Sequence, residues 1–212
     1  MIPPARKFVI LCLLAFGVAA MSPPEATAQR WLQTSQLIKN VRSDGPARAL
    51  LDTLVQVIER RDGVEVRRTS DAPETLTLSE LRDELINGPG LGLTSANKVF
   101  INYRFEIRNR GFEESIQSFQ FLFRPPSGNE EDIQMLYVDA SDPWVKGVLQ
   151  NKGTSLTTNE AALQTFKDQL SFARTVRDAQ ITEIAGDPVR EGFEAKKRNL
   201  VQKIQRLTYG SM

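Results

Sequence analysis

Alternating apolar and polar residues dominate the middle of the chain. Every second residue from Val99 to Ile107 is apolar, and the residues between them are polar except for Phe100. The alternation returns at residues 118–123, and a third apolar run follows after a turn that contains proline and glycine. A period of two residues is typical of a strand with one buried face. The pattern predicts a three-stranded antiparallel meander over about residues 98–140, with one face covered by helices.

Apolar residues spaced three and four positions apart predict helices around the meander. One helix starts at Pro46, because proline suits the first helical position. A second helix starts at the pair Thr77 and Glu80, which has the spacing of a capping box. A short third helix starts at Pro143, and residues 31–41 also fit a helix loosely.

The C-terminal part of the chain has the same helical spacing. A capping-box pair, Thr157 and Glu160, predicts the start of a long helix that reaches about Ile184. A glycine and a proline then interrupt the pattern, and a last helix runs towards Thr208. We therefore expect an α+β fold with a C-terminal helical hairpin. The predicted domains are residues 29–158, which contain the meander, and residues 159–212, the hairpin packed on or beside it.

The N-terminus has the pattern of a secretory signal peptide. Arg6 and Lys7 precede an apolar block that ends at Met21, and small residues precede Gln29. The block is shorter than the roughly 20 residues that a membrane-spanning helix needs. We expect removal of residues 1–28, export to the periplasm or the extracellular space, and no transmembrane span in the remaining chain.

Composition excludes several kinds of chemistry. The chain has no histidine, and its single cysteine, Cys12, lies in the predicted signal peptide. Histidine-based zinc sites, Ser-His-Asp triads and Cys-His pairs each need one of these residues.

The glycines at residues 88–92 follow a predicted helix rather than a strand, so they are interpreted as a helix stop and not as a nucleotide loop. We expect no catalytic residue, no metal site and no cofactor.

Charge also bears on partners. The whole chain has a formal net charge of +1, and residues 1–28 account for it. The exported part is therefore formally neutral, which argues against nucleic-acid binding. The pattern does not determine the oligomeric state.

Two surfaces are candidates for binding a partner. The last helix carries a cationic set on the side away from its apolar residues: Lys196, Arg198, Lys203 and Arg206. The outer face of the meander is expected to carry apolar residues among polar ones, namely Phe100, Leu122, Leu136 and Val138. A basic helix and a partly apolar sheet face fit an envelope protein partner or an anionic surface.

These patterns favour an exported, non-enzymatic binding, assembly or structural accessory protein of the cell envelope. Two alternatives remain open. One is a hydrolase that uses carboxylates such as Glu113, Glu114, Asp139 or Asp142, which would have to come within about 5 to 10 Å of each other. The other is a carrier of an apolar ligand beneath the sheet, which requires an enclosed cavity.

The signal-peptide hypothesis predicts the mass of the exported protein. Because the small residues Ala26, Thr27 and Ala28 form the expected cleavage site, the exported chain should begin near Gln29. Intact mass spectrometry measures this directly. An exported species that retains residues 1–28 would contradict the prediction.

Overall fold

The computed structural model describes residues 31–61, 63–108, 111–126, 131–155, 163–190 and 192–209. The predicted signal peptide and the predicted capping box at Thr157 and Glu160 lie outside these residues. The described chain has an α+β fold with a large antiparallel sheet and several helices.

The strands are β1 (Trp31–Asn40), β2 (Lys98–Arg108), β3 (Gly111–Phe123), β4 (Ile133–Asp139), β5 (Gly153–Ser155), β6 (Leu163–Thr165), β7 (Ala179–Ile184) and β8 (Asp187–Pro188). The helices are α1 (Pro46–Arg60), α2 (Leu78–Asn87), α3 (Pro143–Asn151), α4 (Phe166–Gln169), α5 (Phe172–Thr175) and α6 (Glu194–Tyr209), and a 3₁₀ turn covers Leu93–Ser95.

The main sheet has six strands in the order β4-β3-β2-β1-β7-β8, and its neighbouring strands are antiparallel. The predicted meander is confirmed as β2, β3 and β4. The predicted sheet was too small, because β1, β7 and β8 extend it beyond β2. Strands β5 and β6 form a separate two-stranded sheet.

The helix predicted at residues 31–41 is wrong, since this segment is strand β1. Its core-facing side includes two polar residues, Ser35 and Lys39, which hide the two-residue period in the sequence. Both have distant partners: the Ser35 hydroxyl donates to the Glu183 carbonyl at 2.9 Å, and the Lys39 ammonium pairs with the Asp178 carboxylate. These contacts satisfy the polar groups that the strand buries.

The predicted C-terminal helical hairpin is also wrong. Among its described residues, the segment predicted as its first helix contains strand β6, the short helices α4 and α5, and strand β7. Residues Ala185 and Gly186 connect β7 to β8 with φ values of 55° and 84°, as in the tight turn of a β-hairpin. Only the second helix of the predicted pair is present, as α6. Strand β7 pairs with β1, so strands from both sides of residue 158 share one sheet.

The other three helices predicted before residue 158 are confirmed as α1, α2 and α3. The capping box at the start of α2 is complete, because the Glu80 amide donates to the Thr77 hydroxyl at 3.3 Å and the Thr77 amide donates to the Glu80 carboxylate at 2.8 Å. Gly88 follows the helix, and Gly90 has a φ of 72° that favours glycine. The glycines at this corner therefore begin at a helix end, as predicted.

A single buried cluster joins one face of the sheet to the helices. Phe119 and Phe121 are fully buried in it, as the alternation predicts. The Phe172 ring of α5 stands edge-on to Tyr103 and Phe105 of β2, with ring centroids 5.4 and 5.0 Å apart. The Tyr103 hydroxyl donates to the Leu170 carbonyl at 2.7 Å, so a buried hydrogen bond accompanies the aromatic packing.

Two leucines of β1 test the strand against the predicted helix. Leu37 is fully buried, whereas Leu32 is 50% exposed. Leu37→Ala should lower the free energy of unfolding by about 2 to 5 kcal/mol, because it leaves a cavity in the core. Leu32→Ala should lower it by less than about 1 kcal/mol. Chemical denaturation measures both, and equal effects would contradict the assigned facing of β1.

Candidate binding surfaces

Helix α6 is attached to the core by one face. Leu200 and Ile204, four residues apart, are both buried in the core cluster. Residues four positions apart lie on the same face of a helix, so this face is buried and the opposite face of α6 lies at the surface. The sequence analysis assigned the apolar and cationic sides of this helix in the same way.

Two of the four predicted cationic residues have contacts that hold α6 in place. The Lys196 ammonium lies 3.1 Å from the Asp187 carboxylate and 4.9 Å from the centroid of the Phe193 ring. The Lys203 ammonium lies 3.9 Å from the centroid of the Trp31 ring at the start of β1. A cation over an indole face is a favourable contact, so Lys203 connects α6 to the sheet.

The other two residues, Arg198 and Arg206, are exposed. They are eight residues apart on one side of the helix, with the exposed Gln202 between them. Neither guanidinium has an ion pair with another residue in the described part of the chain. These two arginines therefore present unpaired positive charge to the surroundings.

Leu122 and Leu136 do not form part of a surface, because both are fully buried. The predicted exposure was wrong for Leu136 because a bulge shifts the register of β4. Phe121 pairs with Leu136 and Leu122 pairs with Gln134, which leaves Met135 as the extra residue. The shift turns Leu136 and Val138 into the core cluster. Leu122 directly follows Phe121 on β3, so its side chain points to the other face of the sheet. It is fully buried there as well.

The outer face of the sheet instead carries a row of polar side chains that the sequence analysis missed. The Thr182 hydroxyl donates to the Gln36 side-chain oxygen at 2.9 Å, and the Gln36 amide group donates to Asn102 at 3.0 Å. Asn102 in turn donates to the Ser118 hydroxyl at 2.8 Å. The row crosses β7, β1, β2 and β3, so its members become neighbours only through the strand order.

One cleft in the described part of the chain has a volume of about 670 Å³. It lies where the start of β3 meets α3, α4 and the end of α6. Its lining combines apolar side chains, hydroxyl groups and charges of both signs. Of the four carboxylates considered in the sequence analysis, Glu113 and Glu114 line this cleft.

Glu114 is half-buried on β3 and contacts the start of α5. Its Oε1 accepts a hydrogen bond from the Phe172 backbone amide at 2.7 Å. Burial raises the pKa of the Glu114 carboxyl, while the Phe172 amide and the nearby Lys167 ammonium act in the opposite direction. Glu114 thus joins β3 to α5 at the inner end of the cleft.

The other two carboxylates, Asp139 and Asp142, line a different cleft of about 390 Å³. They are close in sequence, and Asp139 accepts a hydrogen bond from the Ser141 amide at 2.7 Å. Burial and the neighbouring Asp139 raise the pKa of Asp142, and Arg67 opposes this shift. The four candidate carboxylates are therefore divided between two clefts.

Among the residues that the structure describes, no group of three or more acidic, cysteine or histidine residues is arranged to hold a metal ion. None of the helices in this part of the chain combines the length and the apolar character needed to cross a membrane. No protein-family model matches the chain, and no curated protein matches it.

The raised pKa of Glu114 predicts a pH-dependent effect of its substitution. A carboxyl whose pKa is raised by folding favours its protonated form in the folded state more than in the unfolded state. The folded protein therefore loses stability as the pH rises through that pKa and the carboxyl becomes charged. Glu114→Gln should therefore stabilise the fold at pH 7 to 8, because glutamine can still accept the Phe172 amide without a buried charge. The gain should disappear at about pH 3, where the glutamate is protonated.

The neighbouring Glu113 supplies a matched control, since it is exposed. Glu113→Gln should give no comparable gain in stability at pH 7 to 8. Urea unfolding of both variants at the two pH values measures the difference. A loss of stability in Glu114→Gln at pH 7 to 8 would contradict the prediction.

Proposed function

We propose that the protein is an exported, non-enzymatic accessory of the cell envelope that binds an acidic partner protein through the exposed face of α6. The observation that carries the proposal is the pair Arg198 and Arg206. Both are exposed on a helix whose opposite face is anchored in the core, and neither is neutralised by another described residue.

The anchoring supports a binding role because it fixes the arginines in space. Leu200 and Ile204 hold one face of α6, and Lys203 holds the helix to Trp31. A side chain presented from a fixed element loses less conformational freedom when a partner binds. Arginine also offers a planar set of donors that matches a carboxylate. An acidic protein surface is therefore the partner chemistry that fits best.

Exposed charges add little to folding stability, so stability alone gives no reason for the two unpaired arginines. Lys196 differs, because its pairing with Asp187 gives it a structural contact. We assign partner binding to Arg198 and Arg206 first. Lys196 and Lys203 contribute positive charge while they position the helix.

The structure offers less support for the two alternatives. A hydrolase of the expected type needs two cooperating carboxylates. Each of the two clefts contains a pair of the four candidates, but one oxygen of Glu114 and one oxygen of Asp139 already accept backbone amides. A carrier needs space under the sheet, where aromatic rings pack against each other. In contrast, the proposed binding role uses the charges of Arg198 and Arg206, which form no ion pair with another described residue.

The test compares binding of envelope proteins by three forms of the exported protein. The wild type should retain an acidic partner at low salt and release it as salt rises, because screening weakens charge contacts. Arg198→Glu/Arg206→Glu should remain folded, by circular dichroism, and should lose this binding. The control, Arg60→Glu/Arg61→Glu, makes the same change in net charge at two exposed positions on and just after the end of α1 and should bind like the wild type.

Each form is immobilised, and retained proteins are identified by mass spectrometry across a salt series. Equal retention by all three forms would overturn the assigned surface. Equal loss in both variants would mean that net charge, and not α6, controls binding. Binding to anionic vesicles without a retained acidic protein would replace the protein partner by a membrane surface.

A further inference from the structure

The cleft of about 670 Å³ has features of a ligand site that do not depend on the cationic face of α6. None of the residues Lys196, Arg198, Lys203 and Arg206 lines it; α6 contributes Leu207 and Thr208. The volume lies within the range of roughly 300 to 1,000 Å³ that small-molecule sites occupy. A ligand in this cleft would therefore bind at a site separate from the proposed partner surface.

Charges of both signs line this cleft from different elements. Strand β3 contributes Glu113 and Glu114, α3 contributes Lys146, and α4 contributes both Lys167 and Asp168. Apolar side chains lie in the same lining, from Phe112 and other residues. A ligand that fits this arrangement carries a positive group, a negative group and an apolar part.

Glu114 is the best-defined contact point. One of its oxygens accepts the Phe172 amide at 2.7 Å, which fixes the orientation of the carboxylate. Its other oxygen has no hydrogen bond within the described ranges. A carboxylate that is positioned in this way can accept hydrogen bonds from an ammonium group, and such charged hydrogen bonds are stronger than neutral ones.

We propose that this cleft binds a short zwitterionic peptide, with the peptide's ammonium group at Glu114, its carboxylate at Lys146 or Lys167, and an apolar side chain against Phe112. The peptide class follows from the juxtaposition of a positioned carboxylate on β3, lysines on two separate helices and apolar side chains in one cleft. Both termini of the peptide contribute to binding. Blocking either terminus therefore weakens it.

The probes are the tripeptide Ala-Leu-Ala, its N-acetylated form and its C-terminal amide, each titrated into the ¹⁵N-labelled exported protein and followed by NMR. Ala-Leu-Ala should cause saturable shifts in the amides of Phe172 and of residues 112–117. Each blocked form should bind at least about tenfold more weakly, since each loses a charged hydrogen bond. These comparisons use only the unaltered protein.

Variants assign the contact to a residue. Glu114→Gln should weaken Ala-Leu-Ala by about tenfold and bind the N-acetylated form like the wild type. The control Glu74→Gln, at an exposed glutamate that does not line the cleft, should keep the preference for the free ammonium. Three results would overturn the proposal: no saturable shifts at millimolar peptide, equal affinity for all three peptides, or a Glu114→Gln protein that still prefers the free ammonium. Equal affinity would indicate a site for apolar ligands.

Discussion

Strand β1 lies between β2 and β7, and the rest of the structure depends on this double pairing. All ten residues of Trp31–Asn40 have partners on β2, and the second half of the strand also pairs with β7. The pairing places Leu37 between Ile101 and Ile181 in the core. It also brings the C-terminal part of the chain into the same sheet as the meander.

The position of α6 follows from the same pairing. Strand β7 leads through β8 to α6, and Lys203 of α6 then contacts Trp31 at the start of β1. Leu200 and Ile204 complete the attachment by packing into the core. The exposed side of α6, which carries the proposed partner surface, is therefore set by strands far from it in sequence.

Local patterns were sufficient for the elements that depend on local interactions. The two-residue alternation predicted β2 and β3, and the proline and capping signals predicted the starts of α1 and α2. Strands β1 and β7 were missed because the strands that they pair with are distant in sequence. Ser35 and Lys39 hide the alternation of β1, and their partners, Glu183 and Asp178, lie more than 130 residues away.

The candidate sites likewise include features that local sequence patterns predict and features that only the folded structure reveals. The cationic side of α6 was predictable because a helix places residues four positions apart on one face. The burial of Leu136 was not predictable, since it depends on the extra residue Met135 in β4. The cleft of about 670 Å³ was also not predictable: Glu114, Lys146 and Lys167 belong to three elements that meet only in the folded protein.

Residues 31–40 form an interior strand of the sheet, and cross-strand nuclear Overhauser effects are the most direct test of this pairing. The pairing predicts contacts of Leu37 with Ile181 on one side and Ile101 on the other, together with slow amide hydrogen exchange along β1. Helical contacts between residues three apart over residues 31–41, without contacts to β2 or β7, would contradict the assignment of this segment as a strand.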